Sequence, residues 1–173
     1  MKPITFIFLS LLILKVISTT GQENLKIGHI NSQEILQQLP VTDSIQKVLA
    51  EEANEMEQLY NEMLKEHELN IQKYEAEKSN YSEFVRNSKE KDLMENETKI
   101  QQFSQDANQQ LQKRQAELLK PVYENINEAI EKVSLANSFT YILDLSAGAV
   151  AFYSPKSENL TPLVLKELGI ELH

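Results

Sequence analysis

The sequence predicts an α+β chain that is mostly α: a long antiparallel helical hairpin, or coiled-coil arm, set on a small β base. Three observations predict it. From Asp43 to Ala136 there is no glycine and only one proline. That stretch is dense in Glu, Gln, Lys, Asn and Leu, residue types tolerated or favoured in helices. Short runs with strand character flank it on both sides. The expected layout is a signal peptide over 1–21, the first strand and short helix of the base over 22–42, the arm over 43–136, and a β-hairpin with a C-terminal helix over 137–173.

The N-terminus opens with the short basic start Met1-Lys2-Pro3. Ile4 to Leu14 is apolar apart from Thr5 and Ser10, and Ser18-Thr19-Thr20-Gly21 supplies small and polar residues. This is the layout of a cleaved secretory signal, with cleavage expected near Thr20 or Gly21. The apolar run is shorter than the ~20 residues of a spanning helix, so no stable membrane insertion is expected after cleavage. The chain has no cysteine, which excludes a disulfide framework, thiolate chemistry and lipid attachment through cysteine. Cleavage removes Lys2 and Lys15 and no acid, taking the net charge from −9 to −11. So acidic a chain is poorly suited to nucleic acid or anionic lipid, and no nucleic-acid partner is expected.

Lys26-Ile27-Gly28-His29-Ile30-Asn31 reads as a short strand ending in a turn residue. Asn31 and Glu34 form a plausible capping box for a helix over Ser32–Leu39, which Pro40 stops. Asp43 with Gln46 marks the expected start of the arm. Apolar residues then recur at Ile45, Leu49, Met56, Leu59/Tyr60, Met63, Tyr74 and Tyr81, mostly at gaps of three, four or seven. That is one narrow stripe, suited to a single partner helix. The chain must turn back within 79–89, where Ser82 and Asn87 are both candidate caps. The return helix carries Leu93, Ile100, Phe103, Ala107, Leu111, Leu118, Val122, Ile126, Ala129/Ile130 and Val133. Its stripe broadens after Leu118, as expected where a helix enters a core. About 40 residues at ~1.5 Å rise give an arm of ~60 Å. Pro121 predicts a bend in this helix without a domain break.

Phe139-Thr140-Tyr141-Ile142-Leu143-Asp144-Leu145 is aromatic and branched throughout, a strong strand signal. Ser146-Ala147-Gly148 is turn material, and Ala149-Val150-Ala151-Phe152-Tyr153 reads as a second strand, giving an antiparallel hairpin. After a polar loop over Ser154–Asn159, Thr161 is expected to cap a short helix with Pro162 at its first position and Gly169 at its end. Three short strands leave open edges and cannot close a barrel, which takes on the order of eight. Three copies of the base supply about that number, so a cyclic homotrimer is expected. Ile27, His29, Ile30, Tyr141, Leu143, Val150 and Phe152 are the expected residues of the trimer base.

Nothing in the pattern calls for catalysis or a cofactor. His29, His67 and His173 are isolated, and Met63 and Ile71 stand one turn to either side of His67. There is no HExxH, no phosphate-cradling glycine loop and no glycine-flanked serine. Tyr60, His67, Tyr74 and Tyr81 fall seven apart. Such a strip either pads the seam between two helices or faces a binding partner. The 20 acids and 12 bases of residues 43–136 read as a solvated face. The pattern therefore points to a binding protein and away from an enzyme.

The order of elements resembles the Skp/OmpH family of periplasmic chaperones. The likeness is carried by Lys26-Ile27-Gly28-His29-Ile30-Asn31, by Leu118-Leu119-Lys120-Pro121-Val122 with Ile126, Ala129-Ile130 and Val133, and by Tyr141-Ile142-Leu143-Asp144. Gly148, Asn159-Leu160-Thr161, Val164-Leu165 and Leu168-Gly169 complete it. The resemblance implies a homotrimer whose three arms enclose a cavity, holding unfolded outer-membrane proteins in the periplasm without ATP. Family arms are basic, whereas this one is acidic, and no lipopolysaccharide site is carried over. On that reading Met56, Leu59, Tyr60, Met63, Tyr74, Tyr81 and Phe84 are the expected client contacts, each weak and many at once. The alternative is a structural coiled-coil spacer or stalk of the cell envelope, which needs sustained heptads. Asn70, Glu77 and Arg114 interrupt them.

Overall fold

The computed structural model of the protein describes residues 25–171, so the expected signal segment and His173 lie outside the described residues. The chain is α+β and mostly α, as expected from its sequence, and separates into two compact units. One contains the residues up to Ile35 and those from Glu128 onward; the other is Leu36–Asn127.

The first unit is built on strand β1 (Ile27–Ile30), which lies between β2 (Tyr141–Asp144) and β3 (Glu158–Asn159). Both pairings are parallel. Ile27 to Ile30 stand opposite Tyr141 to Asp144, and Gly28 and His29 stand opposite Glu158 and Asn159. This corrects the expected antiparallel hairpin. Residues 149–153 form no strand, so Val150 and Phe152 belong to the connection between β2 and β3. The physical reason is that β1 offers two edges and the chain arrives at the same end of it each time. Thr140 N–H donates to the Lys26 carbonyl at 2.8 Å, which starts β2 beside the start of β1. Lys26 holds this corner through a 3.3 Å ion pair to Glu158 and a position 3.8 Å above the Phe139 ring.

The core of this unit comprises Ile30, Ile35, Ala129, Val133, Phe139, Leu160, Val164 and Leu165, with Ile35, Leu160 and Val164 fully enclosed. Gly28 lies against it so closely that a Cβ there would come within 2.8 Å of Phe139 Cε1 and closer still to Leu160. Helix α1 (Ser32–Gln38) starts as the sequence indicates, with Asn31 Oδ1 accepting Glu34 N–H at 3.1 Å. Its first turn is also held by Asp144, whose carboxylate accepts Ser32 N–H and Oγ–H at 3.1 and 2.5 Å. The last helix, α4 (Thr161–Glu167), departs in one detail from expectation. Leu160 is its cap residue, and Thr161 Oγ1 instead accepts Asn31 N–H at 3.0 Å. It ends on Gly169 at φ +81°, with Gly169 N–H on the Lys166 carbonyl and Ile170 N–H on that of Leu165. Those two bonds form a Schellman stop, which requires a residue free to adopt positive φ.

The second unit holds the arm. Helix α2 (Pro40–Glu77) starts three residues before the expected Asp43, because proline fits the first helical turn, whose N–H groups lack partners. Asp43 still contributes negative charge to that turn. A 3₁₀ turn (Lys78–Asn80) reverses the chain. Helix α3 (Glu83–Ala136) then starts at Ser82, the first of the two candidate caps: Ser82 Oγ accepts Val85 N–H at 3.4 Å. At 38 residues α2 is about 57 Å long. Helix α3 runs through Pro121 without interruption.

Candidate functional site

Two bonds between α2 and α3 fix their orientation. Arg114 Nε donates to Glu52 Oε1 at 3.0 Å, and the Tyr74 hydroxyl donates to Glu90. The later residue of α2 meets the earlier residue of α3, so the helices run antiparallel. Arg114, which breaks the apolar repeat in sequence, therefore closes a cross-helix ion pair. The Glu90 carboxylate accepting its proton, with burial adding to the effect, pushes the Tyr74 hydroxyl up to about 12. Tyr81 is raised for the same reason, by its bond to Glu77.

The seam collects most of the stripe. Ile45 and Tyr74 are buried, while Leu49, Met56, Tyr60, Met63, His67 and Tyr81 are half-buried. The Tyr74 and Tyr81 rings stack 6.3 Å apart. Of the expected client contacts, then, Met56, Tyr60, Met63, Tyr74 and Tyr81 lie along the seam. Leu59 and Phe84 lie open, Phe84 at 83% exposure. Sequence reasoning passed over Leu64, Ile71 and Met94, which are also exposed. Leu64 and Ile71 are seven apart and lie about 70° round the helix from the stripe, a position visible only once the stripe is known to be covered. Around Pro121, Ala116, Leu119 and Tyr123 line a shallow, open, mostly apolar concavity on α3.

In the base, His29 and Ile30 are buried by this chain itself. His29 Nδ1 lies 2.9 Å from Ser157 Oγ, and its ring centroid is 4.8 Å from that of Tyr153. His29 and Ile30 therefore keep only a small fraction of their surface outside this chain. Ile27, Tyr141, Leu143 and Phe152 are exposed and Val150 half-exposed. Among the described residues no group of His, Asp and Glu is placed to hold a metal ion, and no helix is long and apolar enough to cross a membrane.

A family model described as outer membrane protein (OmpH-like) matches residues 26–168. The chain belongs to the OmpH-like family. A protein named Chaperone protein Skp from Photorhabdus laumondii is 29% identical over 147 residues, covering 83% of this chain and 85% of that one. The protein of the same name from Pectobacterium atrosepticum is 30% identical over 151 residues, with the same coverage. A crystal structure of an OmpH-like protein from Caulobacter crescentus superposes with a TM-score of 0.68 over 82% of each chain, at 16% identity. That last likeness concerns the fold: a helical arm with a small β base, as in this OmpH-like chain.

Proposed function

We propose that this OmpH-like protein is a non-enzymatic, ATP-independent holdase that binds unfolded outer-membrane proteins in the periplasm and keeps them from aggregating. One observation carries the reading: both helices of the arm leave large apolar side chains in solvent. Leu59, Leu64 and Ile71 on α2 and Phe84 and Met94 on α3 are exposed, although the seam has apolar residues of its own. An arm built only as a spacer gains nothing from them, and they leave apolar surface on both helices that a client chain can cover. The relatives' name, Chaperone protein Skp, supports the same reading.

The mechanism is multivalent. Each apolar contact is weak, and several arms acting together raise the effective concentration of binding sites around one client. The assembly we propose is a homotrimer joined through the base. Its support is the outer edge of β2, which among the described residues pairs with no further strand, and on which Tyr141 and Leu143 are exposed. Dilution of a denatured β-barrel membrane protein into buffer tests the function. Light scattering should fall at one trimer per client; aggregation unchanged by the protein refutes the reading. The solution mass tests the assembly, and a stable monomer at micromolar concentration refutes it.

A further inference from the structure

The seam is built differently in its two halves. Alongside Ile45–Met56 it is pinned by the Glu52–Arg114 ion pair, and Ile45, Val122 and Ile126 are buried. Over Met63–Tyr81 and Lys89–Ile100, only Tyr74 and Ile100 are buried. Two cavities of about 220 and about 90 Å³ lie there, and both are lined by Asn70 of α2 and Asn96 of α3. Asn70 is one of the residues that interrupt the apolar repeat. Asn70 is itself exposed and Asn96 half-buried, and where these short amides flank both cavities no apolar knob fills the space between the helices. His67 Nδ1 is enclosed beside the smaller cavity with no hydrogen-bond partner among the described residues. An enclosed polar atom without a partner costs free energy, and parting the helices lets it be solvated. Few buried apolar contacts together with an unsatisfied group mark a segment that opens locally at low cost.

The charges at these cavities differ from those of the chain. Lys73 and Lys89 line the larger and Lys99 the smaller, and among the described residues none of the three makes an ion pair. They outnumber the acids there, Asp92 and Glu66, in a protein of net charge −9. We propose that this part of the seam is a client-binding groove, closed in the free arm. It opens when the helices part at Asn70 and Asn96. Met63, Tyr74 and Tyr81 are then presented to an aromatic-rich segment of an unfolded polypeptide whose carboxylates face Lys73 and Lys89. The inference rests on the holdase reading and assigns the seam residues to client binding through an open state. The Tyr74–Glu90 bond, which spans the seam, is the contact that opening must break.

Because the chain has no cysteine, the pair Asn70→Cys and Asn96→Cys can form only one intramolecular disulfide, across the seam. A denatured β-barrel membrane protein diluted with the wild type, the reduced pair and the oxidised pair gives three scattering traces. Protection by the first two and its loss in the oxidised form is expected; an oxidised arm that protects as well as the reduced one overturns the groove. The cavity-filling pair Asn70→Leu and Asn96→Leu closes the seam without a covalent bond and gives a second readout. Loss of protection with an undiminished melting temperature is expected, and full protection overturns the proposal. Should the wild type itself leave aggregation unchanged, the holdase reading falls and the groove with it. That result is distinct from a locked arm that still protects.

Discussion

Replacing Gly28 by alanine tests the packing of the base at its tightest point. A methyl group on β1 would enter space held by Leu160 and Phe139, with 2.8 Å to Phe139 Cε1, well inside van der Waals contact. Neither neighbour can easily retreat, since Leu160 is fully enclosed and Phe139 is 9% exposed. Gly28 pairs with both Ile142 and Glu158, so a shift of β1 would disturb both ladders. Overpacking of this kind costs about 1–3 kcal/mol. For a chain of this size that corresponds to a melting temperature lowered by roughly 2–12 °C. Thermal unfolding followed by far-ultraviolet circular dichroism reads it directly. Leu160→Val removes one of the colliding atoms, so Gly28→Ala should cost less in that background than in the wild type. The departure from additivity measures the contact. A Gly28→Ala protein that melts with the wild type refutes the close approach on which this account of the base depends.

Three further outcomes are expected. Burial pushes the Asp144 carboxyl up, but the bonds from Ser32 and Ser146 outweigh it and hold it below its ordinary value. Its folded-state contribution is therefore present above the ordinary carboxylate value and lost as pH falls below that value through the lowered one. Acid titration of stability should show this loss in the wild type and not in Asp144→Asn. Tyr74, raised to about 12, contributes stability below the ordinary tyrosine value near 10 and loses it as pH rises toward 12. With Tyr81 also raised, tyrosinate absorbance should include a late-titrating component to which both contribute, and Tyr74→Phe should diminish it. Finally, Leu59→Ser with Phe84→Ser alters exposed side chains, so stability should stay within about 0.5 kcal/mol for each change while protection of a denatured client weakens. Unchanged protection would move client binding away from these residues.

Much of the fold was legible because it rests on local chemistry. A run of more than ninety residues dense in helix formers and without glycine favours helix locally, interrupted only at the turn around Lys78–Asn80. Asn31, Ser82 and Gly169 act within a few residues of themselves, as caps or as a stop. The period of the apolar stripe showed that α2 has one narrow face for a partner helix, but left open whether Tyr74 and Tyr81 pad that seam or face a client; the bond from Tyr74 to Glu90 puts Tyr74 in the seam. The hydroxyl-to-carboxylate bond from Tyr74 to Glu90 was not legible, since its register depends on where the chain turns.

What the sequence determined without help was helix, turn and cap, together with the presence of one narrow apolar face. Only the tertiary structure decided which strands pair. Ala149–Tyr153 has the composition of a strand and the polar pair Glu158-Asn159 does not, yet β1 takes the latter. Strand identity is a property of an edge, and the edge of β1 is reached by whichever segment the helices and Leu160 bring beside it. The same holds for exposure along the arm: periodicity shows that one face is covered, but the partner helix decides which apolar residues, such as Leu59 and Phe84, remain in water.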